Sequence, residues 1–244
     1  MQWQKIEVKN LKLLLWGAGD QARVNIPILV SLGYEIDLFI DQTKKDGVLI
    51  PNIPILHEIS AISSWVKNKK TENLGVIIPI GNPYGHIRMA IHNFTSKLGV
   101  QSISFMDNSA LLSSSCEYGE GLQMMPLSLV NNDCKLGKQC ILNTGSSVDH
   151  DCVLEDGVEI GPRAVLCGRV QVGENTWVGA GATILPNIRI GKNCIIGAGA
   201  VVTKNIPDNS TVIGVPAKLL KGHHPPSSTL DDPYQVLAHL GDLL

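Results

Sequence analysis

Residues 152–202 read CVLEDGVEIGPRAVLCGRVQVGENTWVGAGATILPNIRIGKNCIIGAGAVV, and an aliphatic side chain recurs at every sixth position of this stretch. The same period extends back to Val130 without interruption. Its members are Val130, Leu136, Leu142, Val148, Leu154, Ile160, Leu166, Val172, Val178, Ile184, Ile190, Ile196 and Val202. Two positions before each member the chain holds a small or short branched side chain, except at Ile188. A repeat this regular indicates one structural unit used many times.

A period of six excludes a single helix or strand. An α-helix turns about 100° per residue and would scatter these side chains around its surface, whereas one continuous strand would exceed about 200 Å. We therefore predict a β-solenoid of short strands with three sides and eighteen residues per coil. The aliphatic residues and those two positions before them then face inward. Gly, Asn and Asp often follow the aliphatic residue, as at Gly137, Asn143 and Asp149, and we place them at corners because they tolerate positive φ.

Four of the six cysteines, Cys134, Cys140, Cys152 and Cys194, take inward positions in such a solenoid, while Cys116 and Cys167 are off this position and are assigned no role. Cys134 and Cys152 are eighteen residues apart, so they are expected to stack in adjacent coils and to face inward as small apolar side chains. The sequence holds no CxxC pair, which argues against a zinc site, and no metal is expected. Six cysteines are also too few for a disulfide scaffold in 244 residues, so the thiols are expected to be reduced.

The charge balance excludes several classes of partner. Lys and Arg total 20 against 22 Asp and Glu, so neither nucleic acid nor an anionic membrane surface is expected. No apolar run approaches the ~18 residues of a membrane span. The first ten residues alternate polar and apolar side chains, unlike a signal peptide. We therefore expect a cytoplasmic protein without membrane insertion.

The first half of the chain contains a turn typical of nucleotide binding. An apolar run at residues 11–16 is followed by GAGDQA at 17–22, by a helical pattern that ends near Gly33, and by a second apolar run that ends at Asp41. In such units the glycines let the backbone approach a phosphate, and the helix N-terminus offers free N–H donors. Asp41 would accept hydrogen bonds from a ribose hydroxyl or a base N–H. A merely tight structural turn is the alternative.

A second loop is expected at the same edge of the sheet. The apolar run at residues 75–80 leads into Gly81 and Asn82, which are candidate nucleotide contacts because ligands collect at the carboxyl ends of parallel strands. The helix that follows carries His86, Arg88 and His92, and its histidines are expected to cap or solvate it. The segment has room for one mononucleotide half only, which favours a nucleotide-linked substrate over NAD.

A single histidine, His150, lies in the solenoid segment, within VDHDC at residues 148–152. Since Val148 and Cys152 take inward positions, His150 falls at a corner or side edge, where it has no core contact to satisfy. The flanking carboxylates can hold its ring in one tautomer. We therefore predict that His150 is a general base, with a structural histidine as the alternative.

A resemblance to a known family rests on GAGDQAR, the strand end at Asp41, IGNPYGHIR, ILNTGSSVDHDC and the terminal GVPAK. These motifs together resemble the bacterial sugar acetyltransferases with a left-handed β-helix. That family includes UDP-N-acetylbacillosamine-type N-acetyltransferases, GDP-perosamine N-acetyltransferases and sialic acid O-acetyltransferases. The resemblance, which covers about residues 11 to 220, implies an α/β Rossmann-like nucleotide-sugar-binding domain at 1–106 and a left-handed parallel β-helix acetyltransferase domain at 107–221. Residues 222–244 lack the six-residue period, and we expect them to form a tail with a short helix. It also implies a homotrimer with active sites between subunits, and acetyl-CoA lying between neighbouring coils.

The resemblance also implies roles for individual residues. It makes His150 the general base and Asp151 the carboxylate that orients it. The nucleotide sugar is expected at Gly17, Gly19, Asp20, Gln21, Asp41, Gln42, Gly81 and Asn82. Acetyl-CoA is expected at Glu159, Ala180 and Ala198, and Asn143 is a candidate oxyanion donor. Two positions depart from the family: Glu159 stands where His is common, and Gly19-Asp20-Gln21 stands where the loop often reads GGH.

The implied function is acetyl-CoA-dependent N-acetylation of a nucleotide-linked amino sugar in bacterial surface glycan biosynthesis, by direct transfer and without a metal. Three alternatives stay open. They are O-acetylation of a sialic acid-type sugar, a non-catalytic nucleotide-sugar-binding protein, and a NAD(P)-dependent oxidoreductase that uses the GAGDQA turn.

Overall fold

The computed structural model describes residues 11–42, 50–69 and 73–222 of the chain, so the predicted tail lies outside it from residue 223 onward. An α/β unit comes first. Its elements are β1 (Leu11–Trp16), α1 (Asp20–Ser31), β2 (Glu35–Ile40), β3 (Ile55–Leu56), α2 (Ile59–Asn68), β4 (Asn73–Ile77), α3 (Gly85–Lys97) and β5 (Gln101–Ser102). The strands form one sheet in the order β3-β2-β1-β4-β5, and all neighbours are parallel. The order reverses between β1 and β4, so the loops that follow these two strands open on the same crevice.

The rest of the described chain is a solenoid of short strands on three faces. The first face contains β6 (Phe105–Met106), β9 (Gln123–Met124), β12 (Ile141–Leu142), β15 (Glu159–Ile160), β18 (Trp177–Val178), β21 (Ile195–Ile196), β23 (Thr211–Ile213) and β24 (Lys218–Leu219). The second face contains β7 (Leu111–Leu112), β10 (Leu129–Val130), β13 (Ser147–Val148), β16 (Val165–Leu166), β19 (Thr183–Ile184) and β22 (Val201–Val202). The third face contains β8 (Glu117–Tyr118), β11 (Lys135–Leu136), β14 (Val153–Leu154), β17 (Gln171–Val172) and β20 (Arg189–Ile190). Val130 pairs with Val148 in parallel register, which confirms the predicted coil of eighteen residues.

The interior of the solenoid follows the predicted pattern. Every aliphatic residue of the six-residue period from Val130 to Val202 is buried, with at most 5% of its surface exposed. The residues two positions earlier are buried as well, and even the exceptional Ile188 is only 9% exposed. Cys134 and Cys152 face inward as predicted, at 1% and 0% exposure. Stacking of like positions in successive coils therefore builds one continuous apolar core.

The corners differ from the prediction. Positive φ occurs three residues before each aliphatic member, and not at the residue that follows it. These positions are Leu127, Asp133, Gln139, Gly145, Asp151, Gly157, Arg163, Arg169, Asn175, Gly181, Asn187, Asn193 and Gly199. The glycines that follow an aliphatic residue have a different reason, which is close approach of the next coil. A Cβ at Gly161 would lie 2.6 Å from the carbonyl oxygen of Val178, and one at Gly179 would lie 2.6 Å from that of Ile196.

The α/β unit packs against the first face through buried polar contacts. Gln123 of β9 donates to the carbonyl oxygen of Ile78 at 2.9 Å and accepts from the Asn25 amide at 2.7 Å. The prediction that the histidines of α3 cap or solvate that helix is wrong for His92, which is 3% exposed and lies 2.8 Å from Ser102 Oγ and 3.3 Å from Gln139 Nε2. Its side chain is part of the interface between the two units, and burial lowers its pKa.

Candidate active site

The first loop of the crevice is shaped by its own backbone. The amide of Gly17 donates to the carbonyl oxygen of Ile40 at 2.8 Å, and the amide of Ala18 donates to Asp41 Oδ2 at 2.7 Å. Gly17 has a φ of 120°, a conformation that glycine adopts readily. Asp41, predicted to contact a nucleotide, is only 9% exposed. One of its carboxylate oxygens therefore fixes the loop that the prediction assigned to the phosphate.

The remaining predicted nucleotide residues lie around the beginning of α1. Gly19 is the residue before α1, Asp20 is its exposed first residue, and Gln21 is half-buried. Gln42 is half-buried next to Asp41. The Gln21 amide nitrogen lies 3.8 Å from the sulfur of Met125, which follows β9. The loop after β1 therefore lies against the first face of the solenoid.

The second loop brings predicted residues of both units together. A side chain at Gly81 would lie 3.8 Å from Gln21 Oε1 and 3.9 Å from Glu159 Oε1. Asn82 Nδ2 donates to Glu159 Oε1 at 3.1 Å, and Asn143 Nδ2 donates to the same oxygen at 3.0 Å. Five predicted site residues from two units thus surround one crevice.

Glu159 forms a buried ion pair with Arg88 of α3. Their charged atoms are 3.4 Å apart, and the two side chains are 3% and 0% exposed. Burial raises the pKa of Glu159, while Arg88 and the amides of Asn82 and Asn143 oppose that rise. Burial also lowers the pKa of Arg88, which Glu159 opposes. The structure places Glu159 at the junction of the two units, and its contact with acetyl-CoA stays a prediction.

His150 and Asp151 form a second cluster. His150 Nδ1 lies 2.7 Å from Asp151 Oδ2, and both side chains are about half exposed, at 43% and 50%. The amide of His150 donates to Asp149 Oδ1 at 2.8 Å, and Arg169 Nε lies 4.0 Å from Asp151 Oδ2. A carboxylate at Nδ1 fixes the tautomer in which that nitrogen carries the proton, so Nε2 is free to accept one. The pair has the arrangement of an oriented general base.

The structure does not bring this base to the crevice of the same chain. His150 lies between β13 and β14, at the corner between the second and third faces. The crevice lies against the first face, which contains β15 and Glu159. Ala180 and Ala198 are exposed at the corner between the first and second faces, where the amide of Gly199 donates to the carbonyl oxygen of Ala180 at 2.8 Å. The predicted residues therefore occupy separate edges of the triangular coil.

Sequence reasoning missed the polar residues that join the two units. The sequence places Arg88 on a helix within the motif IGNPYGHIR but assigns it no contact. In the structure it donates to the carbonyl oxygens of Ile80, Gln139 and Gly157 as well as to Glu159. The indole N–H of Trp177, which pairs in register with Glu159, is buried without a partner among the described residues. No local sequence pattern predicts either feature, because each depends on how segments that are far apart in the sequence pack together.

In the described ranges no three His, Cys, Asp or Glu side chains are grouped so that they could hold a metal ion. Within the same part of the chain, no helix has the length and apolarity that crossing a bilayer requires.

A Rossmann-like sheet followed by a left-handed parallel β-helix with an exposed His–Asp pair defines a hexapeptide-repeat acyltransferase. Residues 169–204 match the family described as bacterial transferase hexapeptide (six repeats), and residues 12–94 match the PglD N-terminal domain. The chain belongs to the bacterial sugar acetyltransferases of this architecture, as the resemblance implied.

Solved structures of relatives support the same family assignment. A variant of perosamine N-acetyltransferase from Caulobacter crescentus, in complex with CoA and GDP-perosamine, is 30% identical with a TM-score of 0.78, over 87% of this chain and 97% of that one. The acetyltransferase domain of PglB from Neisseria gonorrhoeae, in complex with acetyl coenzyme A, is 30% identical with a TM-score of 0.76, over 86% and 98%. WeeI from Acinetobacter baumannii is 26% identical with a TM-score of 0.74, over 86% and 100%.

Proposed function

We propose that this protein transfers the acetyl group of acetyl-CoA to the amine of a nucleotide-linked amino sugar in bacterial surface glycan biosynthesis. The observation that carries the proposal is the exposed His150–Asp151 pair, with its imidazole Nε2 free, on a chain that also has a crevice of the nucleotide-binding type. The relatives that were crystallised with CoA and GDP-perosamine supply the class of both substrates.

The chemical step is direct transfer. The amine nitrogen of the sugar attacks the thioester carbonyl carbon, His150 Nε2 takes the proton that the amine loses, and CoA leaves as its thiolate when the tetrahedral intermediate collapses. Asp151 stabilises the imidazolium that forms. The proposal assigns no acyl-enzyme. Cys134, Cys140, Cys152 and Cys194 are buried, and burial raises the pKa of Cys140 to about 12, whereas Cys116 and Cys167 are only partly buried and have no role in the proposed step.

The active site of this proposal is shared between copies of the chain. Because His150 and the crevice occupy different edges of the coil, the base of one subunit has to serve the crevice of its neighbour in a homotrimer. The second face supports such an assembly, since its outward residues include Leu111 and Val165, which are 65% and 38% exposed. Light scattering of the purified protein should give three times the 26.3 kDa chain mass.

We also propose the domain division and the location. Residues 1–106 would hold the nucleotide sugar, 107–221 would hold acetyl-CoA with contacts at Ala180 and Ala198, and 222–244 would form a tail. The division falls at the end of β6, which already pairs with β9 of the solenoid. Six free cysteines are consistent with a reducing compartment, and we place the enzyme in the cytoplasm.

The test is turnover of a panel of UDP-, GDP-, CMP- and dTDP-linked amino sugars with acetyl-CoA. We expect one of them to gain an acetyl group on nitrogen, detected by mass spectrometry, and to release CoA thiol in equal amount. Acetylation of a sugar hydroxyl would show that the acceptor is a hydroxyl group and not the proposed amine. Binding of a nucleotide sugar without turnover would favour a non-catalytic binding protein. Tight NADH binding, measured by fluorescence, would favour the oxidoreductase.

A further inference from the structure

Glu159 joins two amides that belong to different units of the chain. Its Oε1 accepts from Asn82, in the loop between β4 and α3, and from Asn143, which follows β12 of the solenoid. Asn82 is exposed, whereas Asn143 is only 8% exposed. With its nitrogen donating to the carboxylate, each amide keeps its carbonyl oxygen as a hydrogen-bond acceptor.

Arg88 fixes the carboxylate in turn. Its guanidinium lies 3.4 Å from Glu159 Oε2, and its other N–H groups donate to the carbonyl oxygens of Ile80, Gln139 and Gly157 at 2.9, 3.1 and 2.7 Å. Arg88 is fully buried, and the planar guanidinium has these partners in a rigid fork. The position of Glu159 is therefore set by the backbone of both units.

We propose that Glu159 is a positioning residue for the nucleotide-linked sugar, which it serves by fixing the amides of Asn82 and Asn143. This inference rests on the proposed function. The amino and hydroxyl groups of a sugar are hydrogen-bond donors, and the oriented carbonyl oxygen of Asn82 is an acceptor at the crevice. Gln21 Oε1, which would lie 3.8 Å from a Cβ at Gly81, adds a second acceptor.

A residue that positions the nucleotide sugar and a residue that contacts acetyl-CoA affect the binding of different substrates. Glu159 is 2% exposed and lies beneath the loop that holds Gly81 and Asn82, so its loss should loosen that loop. Removal of a charge-assisted hydrogen bond to Asn82 then weakens binding of the nucleotide sugar and leaves acetyl-CoA binding unchanged.

The test is Glu159→Gln, measured by steady-state kinetics with the panel member that has the highest kcat/KM. We expect the KM for the nucleotide sugar to rise about tenfold, as for the loss of one charge-assisted hydrogen bond, while the KM for acetyl-CoA stays within about twofold. Glu117→Gln, which neutralises an exposed carboxylate paired with Lys135, is the matched control and should change neither constant. A rise in the KM for acetyl-CoA alone would overturn the proposal.

Asn82→Ala keeps the test decisive if Glu159→Gln does not fold, since position 82 is exposed. We expect it to raise the same KM about tenfold at an unchanged melting temperature, a result that needs no Glu159 variant. Where Glu159→Gln does fold, it should add less than threefold in the Asn82→Ala background. Full additivity, or an unchanged KM in Asn82→Ala, would show that Glu159 does not act through this amide. An inactive wild-type enzyme, or an active His150→Ala variant, would instead contradict the proposed function.

Discussion

The imidazole of His150 lies against the backbone of Gly168, the residue eighteen positions later and one coil further along the solenoid. A Cβ at Gly168 would lie 2.6 Å from His150 Nε2, so the next coil leaves room for the base only because this position has no side chain. The ring nitrogen assigned to proton transfer is the atom that such a side chain would displace.

Gly168→Ala should therefore displace the base without unfolding the coil. The His150 ring is the end of a half-exposed side chain and can move, so the melting temperature should change little, while kcat falls about 10-fold or more because proton transfer requires hydrogen-bond reach. Gln171→Ala, at an exposed position of the same coil, is the control. Unchanged kcat in Gly168→Ala would argue against the assigned geometry.

His150→Ala should lower kcat/KM by ~10²–10⁴-fold, the usual cost of removing a general base. Asp151→Asn should cost less, because it leaves the imidazole in place and removes only its orienting carboxylate. Both side chains are about half exposed, so thermal unfolding should be unaffected.

If the protein forms the proposed homotrimer, assemblies that mix two inactive variants should distinguish an active site shared between copies from one within a single chain. His150→Ala keeps its crevice, and Gly81→Tyr keeps its base but places a ring between Gln21 and Glu159. If the base of one copy serves the crevice of another, co-refolding the two inactive variants should give activity at least about tenfold above either alone. A mixture no more active than its components would place both parts in one chain.

Arg88→Met should destabilise the protein by about 3–5 kcal/mol, because it leaves the buried carboxylate of Glu159 unpaired. The double variant Arg88→Met/Glu159→Gln should lose less than the sum of the two single losses, since it removes both charges. Urea unfolding gives the three free energies. Strict additivity would mean that the two groups are not coupled in the folded protein.

The stability of the wild type should depend on pH through Glu159. Burial raises the pKa of Glu159, so the folded state holds this proton more tightly than the unfolded chain does. The resulting stabilisation is complete below the unfolded pKa and is lost as pH rises through the higher folded pKa. The unfolding free energy of the wild type minus that of Glu159→Gln should therefore decrease across this window. A difference that increases with pH would mean that folding lowers the pKa of Glu159 and does not raise it.

The solenoid was predictable because one physical constraint repeats many times. An inward aliphatic side chain at every sixth residue fixes both the coil length and the facing of Cys134 and Cys152. The corner conformations were predicted at the wrong residue, because Leu127, Arg163 and Arg169 adopt positive φ without the residue type that usually accompanies it. There the parallel ladder on either side imposes the turn, and local preference does not decide it.

The crevice was only partly predictable. Strand–turn–helix order placed Gly81 and Gln21 at one sheet edge, since loops at the ends of neighbouring parallel strands meet. The contacts of Arg88 with Gly157 and Glu159 join residues about seventy positions apart, and no local pattern reports such a pairing. The buried His92 was missed for the same reason.

Parallel coils with a fixed register have a consequence for how this enzyme can adapt to other acceptors. Successive coils are spaced like hydrogen-bonded strands, so a residue can be relocated along the axis only in increments of about 4.8 Å. An insertion shorter than one coil of eighteen residues would break the register between neighbouring coils. Divergence toward a bulkier or smaller sugar should therefore proceed by exchanging side chains in the sheet-edge loops, while the height of the imidazole above them stays constant.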